Sequence, residues 1–156
     1  MDKATFLRRM RTTHADLVAA ASALSDADLA GSAPRLEGWT RKDVLAHMEW
    51  WNEHSTRVVE SARSGGTDPD AASGDDWDID THNARVLAEN RDREPSDVRQ
   101  GEAASFARLM ATVAATPEDL LFAAEPVAWL RGTVAEVVAS DSSNHYPEHL
   151  PHLAPG

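Results

Sequence analysis

The sequence predicts an all-α fold: a four-helix bundle with a short additional helix or turn and a loop after the second long helix. Apolar residues recur at three- to four-residue spacing in four stretches, which is the period of one buried helix face. Ser, Thr and Asp stand as caps before several of these stretches, where their side chains accept the otherwise unpaired first N–H groups. No stretch alternates apolar and polar residues as a half-buried strand would, and no internal repeat stands out.

Asp2 caps a first helix whose stripe is Phe6, Met10, Leu17, Ala21 and Leu24, with His14 on the same face, and which ends before Ser25-Asp26-Ala27-Asp28. The second start is sharper. Thr40 is an N-cap with Asp43 three residues on, and Trp39 before the cap faces Val44 as a hydrophobic staple. Its stripe of Val44, His47, Met48, Trp51, Ser55, Val58 and Ala62 runs to Ser64-Gly65-Gly66, and Thr67 to Asp76 reads as a loop. Asp80 caps a short helix to about Asn90, and Ser96 begins the third long helix after the break at Pro95, with Val98, Phe106, Leu109, Met110 and Val113 inward. Thr116-Pro117-Glu118-Asp119-Leu120 reads as a capped turn with Pro117 at the first helical position. Thr133 caps the last helix, with Glu136 at the capping-box position and Val134, Val138, Asp141, His145 and His149 along one face.

At 156 residues the chain is one domain, residues 1–156, long enough to bury a core without staples. It has no cysteine, so disulfides and thiolate chemistry of its own are excluded, and sulfur chemistry would need a thiol from outside. No stretch approaches the roughly 20 apolar residues of a membrane span, nor does the N-terminus carry a signal-peptide core; the chain reads as soluble and cytoplasmic, without a membrane partner. Its formal charge of −11 and the lack of a basic run argue against nucleic acid. The partner expected is a small-molecule substrate, and an exposed helix stripe would also suit a homodimer.

The candidate chemistry lies in His145-Tyr146-Pro147-Glu148-His149 together with His47. Histidines four apart on a helix share a face with Cβ atoms about 5–6 Å apart, and neutral imidazole nitrogens are good ligands for zinc or a similar divalent ion. A third histidine from another helix would complete a face of ligands and leave a position open. The competing reading is a set of satisfied core or surface histidines. Pro147 bears on the geometry, because inside a helix it removes the bond to the Ser143 carbonyl and kinks the chain. Asp141, one turn before His145, is either the carboxylate that orients an imidazole or an ordinary exposed aspartate. Trp51 is core or the wall of a pocket. His54, seven residues beyond His47, either lines the same pocket or, given its polar neighbours, faces solvent.

These residues carry a resemblance. Gly38-Trp39-Thr40-Arg41-Lys42-Asp43-Val44-Leu45-Ala46-His47 and Asn144-His145-Tyr146-Pro147-Glu148-His149-Leu150 resemble the second- and fourth-helix signatures of the DinB/YfiT-like superfamily of four-helix-bundle metalloenzymes. That superfamily includes the mycothiol-dependent maleylpyruvate isomerase type and the ClbS/DfsB proteins. Asp80-Thr81-His82-Asn83-Ala84 and Asn90-Arg91-Asp92-Arg93 are similar to the start of its third helix. The resemblance implies a divalent metal, zinc or nickel first, with copper or iron acceptable to the same donors, held by His47, His145 and His149. It implies a thiol-dependent transferase or isomerase using a low-molecular-weight thiol such as mycothiol. Hydrolysis of a reactive metabolite and a non-catalytic metabolite-binding module stand as the alternatives. Fold alone does not choose among them.

Overall fold

The computed structural model describes residues 1–74 and 77–156. Of the loop expected over Thr67 to Asp76, Asp75 and Asp76 lie outside the described residues. The helices are α1 (Lys3–Ser22), α2 (Asp26–Ala30), α3 (Arg41–Ser64), α4 (Ile79–Asn90), α5 (Pro95–Ala115), α6 (Glu118–Phe122), α7 (Val134–Asp141) and α8 (His145–His149). Among the described residues there is no strand, only an isolated bridge between Ser32 and Thr40. α1, α3, α5 and the α7–α8 pair form the four-helix bundle, with α3 at its centre packed against α5, α7 and α4. No helix among the described residues is long and apolar enough to cross a membrane.

Local chemistry sets these boundaries. Thr40 accepts from the Asp43 N–H while the Asp43 carboxylate accepts from the Thr40 N–H, and Thr133 and Glu136 reciprocate in the same way. Gly65 ends α3 at a φ of 69°, a left-handed conformation that glycine adopts without Cβ strain. Thr40→Ala should cost about 1 kcal/mol of stability, the usual worth of such a cap; urea unfolding midpoints measure it, and an unchanged midpoint would show that tertiary packing alone fixes the start of α3. Three boundaries differ slightly from expectation. Asp78 rather than Asp80 caps α4, through Thr81. α5 starts at Pro95 and not Ser96, since proline suits the first helical position, where its missing N–H has no partner to lose. α6 begins one residue after Pro117.

The apolar core falls into two compartments. One gathers Phe6, Met10, Val59, Leu109, Val113, Leu121, Val134 and Val138; the other gathers Leu17, Leu29, Val44, Met48, Val98, Tyr146 and Leu153. Each long helix contributes to both, and between the two contributions each carries a buried polar residue: His14 on α1, Asn52 on α3, Glu102 and Ser105 on α5. These meet in a polar belt. His14 Nε2 lies 2.7 Å from Glu102 Oε1, Asn52 donates to Ser105 Oγ at 3.1 Å, and Tyr146 donates its hydroxyl proton to Asn52.

The fourth helix is broken one turn before the expected place. α7 ends at Asp141, Asn144 N–H reaches back five residues to Ala139 O at 2.8 Å, and Tyr146 N–H bonds Ser142 O at 2.8 Å to open α8. Pro147 therefore sits in the first turn of α8, where its missing N–H is not needed. Asp141 and His145 consequently do not lie on one continuous helical face.

Candidate metal centre

α3 and α8 bring His47, His145 and His149 together. The Nε2 atoms of His47 and His145 are 3.2 Å apart, those of His149 and His145 are 3.0 Å apart, and one nitrogen of each of the three lies within 4.8 Å of the others. Two nitrogens each about 2.1 Å from one ion stand ~3.0 Å apart at a right angle and ~3.4 Å apart at a tetrahedral angle, so both close contacts have the spacing of a shared ion. Hydrogen bonding accounts for them less well. The single in-plane lone pair or single hydrogen on His145 Nε2 can serve one neighbour, and two imidazole nitrogens approach it.

Protonation favours the same arrangement. Burial pushes His47 down to about 2, with the neighbouring His145 and His149 adding to the effect, and His47 is only 5 % exposed. Burial, then His145 and His152, takes His149 down to about 3. Burial also lowers His145, against an upward pull from Glu148 and Asp141. All three are thus neutral near pH 7, the form in which imidazole ligates. Trp39 and Trp51 set their rings edge-on to His47 at centroid distances of 5.2 and 6.1 Å and keep water from it. His152 Nδ1 lies 3.0 Å from His149 Nδ1; accepting that nitrogen's hydrogen would leave the His149 Nε2 lone pair free. His152, three residues after His149, has the spacing of a helical neighbour, and that spacing was the signal available for it in the sequence.

The other candidates fall differently. Asp141 is buried, 6 % exposed, and so not an ordinary surface aspartate, yet it does not orient the His145 ring through its carboxylate. α7 directs that carboxylate to α3, where Oδ2 lies 2.6 Å from His54 Nδ1 and accepts from Ser55 Oγ at 2.8 Å, and the break that follows turns His145 away from it. His54 is buried, not solvent-facing, at 7 % exposed, because Asp141 and Asp70 satisfy both of its nitrogens. Trp51 is half-buried: it packs against the second core compartment and also lines two cavities. One of these, of about 380 Å³, opens beside His145 between Asp141, Asn144 and Glu148. His14 is a core residue paired with Glu102. Arg85 and Arg93 pair with Glu89 and Glu49 on a mixed-charge face.

Comparison with known proteins agrees with this architecture. The family model of the mycothiol maleylpyruvate isomerase N-terminal domain matches residues 10–139, a span that includes His47 and stops short of His145. No curated protein matches the chain. Among solved structures, mycothiol-dependent maleylpyruvate isomerase aligns with a TM-score of 0.81 at 19% identity over 99% of this chain and 62% of that protein. The colibactin self-resistance protein ClbS, solved in complex with double-stranded DNA, gives 0.83 at 11% identity over 97% of this chain and 93% of its own. An uncharacterised protein from Escherichia coli UTI89 gives 0.83 at 11% identity over 97% of this chain and 90% of its own. At these identities the likeness is one of fold.

The ClbS complex corrects one expectation. The net charge of −11 argues against nucleic acid, but a protein of the same fold is solved on duplex DNA, so that exclusion does not stand. Net charge describes the far field, whereas contact with phosphates and bases depends on which groups face the duplex locally. With a family model covering most of its length and an all-helical fold shared with these structures, the chain belongs to the mycothiol maleylpyruvate isomerase N-terminal domain family, within the DinB-like superfamily.

Proposed function

We propose that the chain is a metal-dependent enzyme in which His47, His145 and His149 hold one divalent ion and an exogenous low-molecular-weight thiol attacks a reactive small molecule, as a transferase or isomerase. The observation that carries this reading is the convergence of three desolvated, neutral imidazole nitrogens on one point. The chain's lack of cysteine requires the sulfur nucleophile to come from outside, and the family description supplies a thiol of that kind, mycothiol. A bound divalent ion would make a coordinated thiol far more acidic and polarise an electrophilic oxygen.

The chain's own residues do the rest. His47 presents its nitrogen from the second turn of α3, with the Trp39 and Trp51 rings set edge-on beside it. Tyr146, fully buried between His145 and Pro147, fixes α8 through its bond to Asn52, and with it the aim of His145 and His149. Trp51 lines two cavities, one beside His145 and one beside His54, and these give a small molecule room around it.

Elemental analysis of untagged protein should find about one divalent ion per chain. The His145→Ala, His149→Ala double variant should retain almost none. Metal content equal in the two proteins would refute the site. Metal-loaded protein incubated with an epoxide or a maleyl-type electrophile, with and without thiol, then separates the chemistries by product mass. Thiol adducts or isomers support transfer, addition of water without thiol supports hydrolysis, and no product across the panel points to a binding module.

A further inference from the structure

His54 has no part in the three-histidine cluster, and its surroundings determine its proton count. Nδ1 lies 2.6 Å from Asp141 Oδ2 and Nε2 lies 2.8 Å from Asp70 Oδ2. An ionised carboxylate accepts and does not donate, so satisfying both contacts requires a hydrogen on each ring nitrogen, which makes His54 an imidazolium. The two carboxylates are unlike. The Asp141 side chain is 8% exposed and is fixed by Ser55 Oγ as well, whereas the Asp70 side chain is 52% exposed on the segment after α3. On the Asp70 side lies a cavity of about 360 Å³ walled by Trp50, Trp51 and Trp77. Trp50 stacks on the His54 ring at 5.4 Å and 13°, a placement that favours the charged form.

We propose that His54 is the general acid of this tryptophan-walled cavity: Asp141 holds its Nδ1–H from behind, and its Nε2–H, capped here by Asp70, is the proton delivered to an oxygen of a flat or apolar-bodied small molecule. The proposal rests on the reading of the chain as a thiol-dependent enzyme. An electrophile's oxygen takes the place of Asp70 Oδ2 on Nε2. As the sulfur of the thiolate, its own proton already released to solvent, bonds to carbon and the carbon–oxygen bond of an epoxide opens, the electron pair goes to oxygen, which takes the Nε2 proton. His54 is left neutral, still donating Nδ1–H to Asp141, and solvent returns the proton. His54 is the catalytic residue here and Asp141 a positioning residue.

The charged and titratable neighbours support a retained proton. Burial pushes His54 down, but the bonds and charges of Asp141 from α7 and of Asp70 together outweigh it and leave it raised. His82 on α4 is itself lowered by burial and then by Arg85, so it stands neutral near His54. Arg57 lies 5.4 Å over the Trp50 ring.

Two measurements on the full chain test this. In metal-free protein, nitrogen-15 spectra of the histidine rings should show His54 with both nitrogens protonated and titrating above the ordinary imidazole value of about 6.5; Asp70→Asn, an exposed change that spares the core, should lower that midpoint. A His54 that is neutral at pH 6.5 would overturn the proposal. In metal-loaded protein given styrene oxide and mycothiol, kcat/KM, which reports the free enzyme in which Asp70 still caps Nε2, should fall as pH rises through the His54 midpoint. His54→Gln should retain its metal, lose about 100-fold or more in kcat and lose that alkaline limb, and Asp70→Asn should move the limb to lower pH. An unchanged profile in both variants would overturn the role of His54 alone. Wild-type protein that holds metal yet opens no epoxide would overturn the enzymatic reading as well, and is distinguishable because the failure precedes any variant.

Discussion

Glu102→Ala lowers the melting temperature by about 10 °C. Glu102 is 4% exposed and lies at the middle of the polar belt, with Oε1 2.7 Å from His14 Nε2 and 3.4 Å from Asn52 Nδ2. Truncation strands the His14 nitrogen between two apolar compartments and removes one of the two acceptors of Asn52 Nδ2, which keeps Ser105 Oγ. Removing one member of a buried ionic or hydrogen-bonded group costs about 3–5 kcal/mol, and a domain of this size loses ~2–4 °C per kcal/mol. Glu102→Gln, which keeps an accepting oxygen, should lose much less. Differential scanning calorimetry of the two variants decides the matter, and a drop under about 3 °C for the alanine variant would show that water replaces the carboxylate in the belt.

Metal-free protein should lose stability steeply as pH falls below about 6.5, at about 2–3 kcal/mol per pH unit. Burial holds His47 and His149 near 2 and 3 in the folded chain, whereas both titrate near 6.5 once unfolded. The sign follows from linkage. Between the unfolded and folded values the unfolded chain binds more protons, so the stability present above pH 6.5 is lost progressively as pH falls toward the folded values. His54 has the opposite sign, since its raised folded value gives stability that is complete below 6.5 and disappears as pH rises through that value. Bound metal should raise the melting temperature at neutral pH and steepen the acid loss, because ligation requires neutral imidazoles. Urea midpoints of chelated protein at pH 7, 6 and 5 measure the slope; equal midpoints would contradict the neutral, desolvated state of the cluster.

What could be read from the sequence was local or periodic. Thr40 with Asp43, Thr133 with Glu136, and Gly65 after Ser64 announce helix ends within a few residues of themselves, and the structure has them in those roles. His47 was legible because Val44, Met48 and Trp51 mark its face, and His145 with His149 because four residues is a helical spacing. Contacts closed by distant segments were not legible. His14 meets Glu102 across 88 positions and His54 meets Asp141 across 87, and no spacing rule reaches so far. Asp70 approaches His54 from a segment without regular periodicity. The break in the fourth helix was misplaced because Pro147 offered the visible reason for one, while the observed break depends on Asn144 bonding back to Ala139 and on Tyr146 reaching Asn52.

The break at Ser142–Asn144 also separates two registers along the fourth helix. α7 is registered by its capping box and by Val134 and Val138, and it directs Asp141 to His54. α8 is registered separately by Tyr146, with Asn144 tied to Arg9 of α1 at 2.7 Å, and it directs His145 to His47. On an unbroken helix any change in aim at one residue would drag the other with it. Because the break registers the two halves separately, a substitution at His149 should leave the contacts of Asp141 with His54 and Ser55 in place.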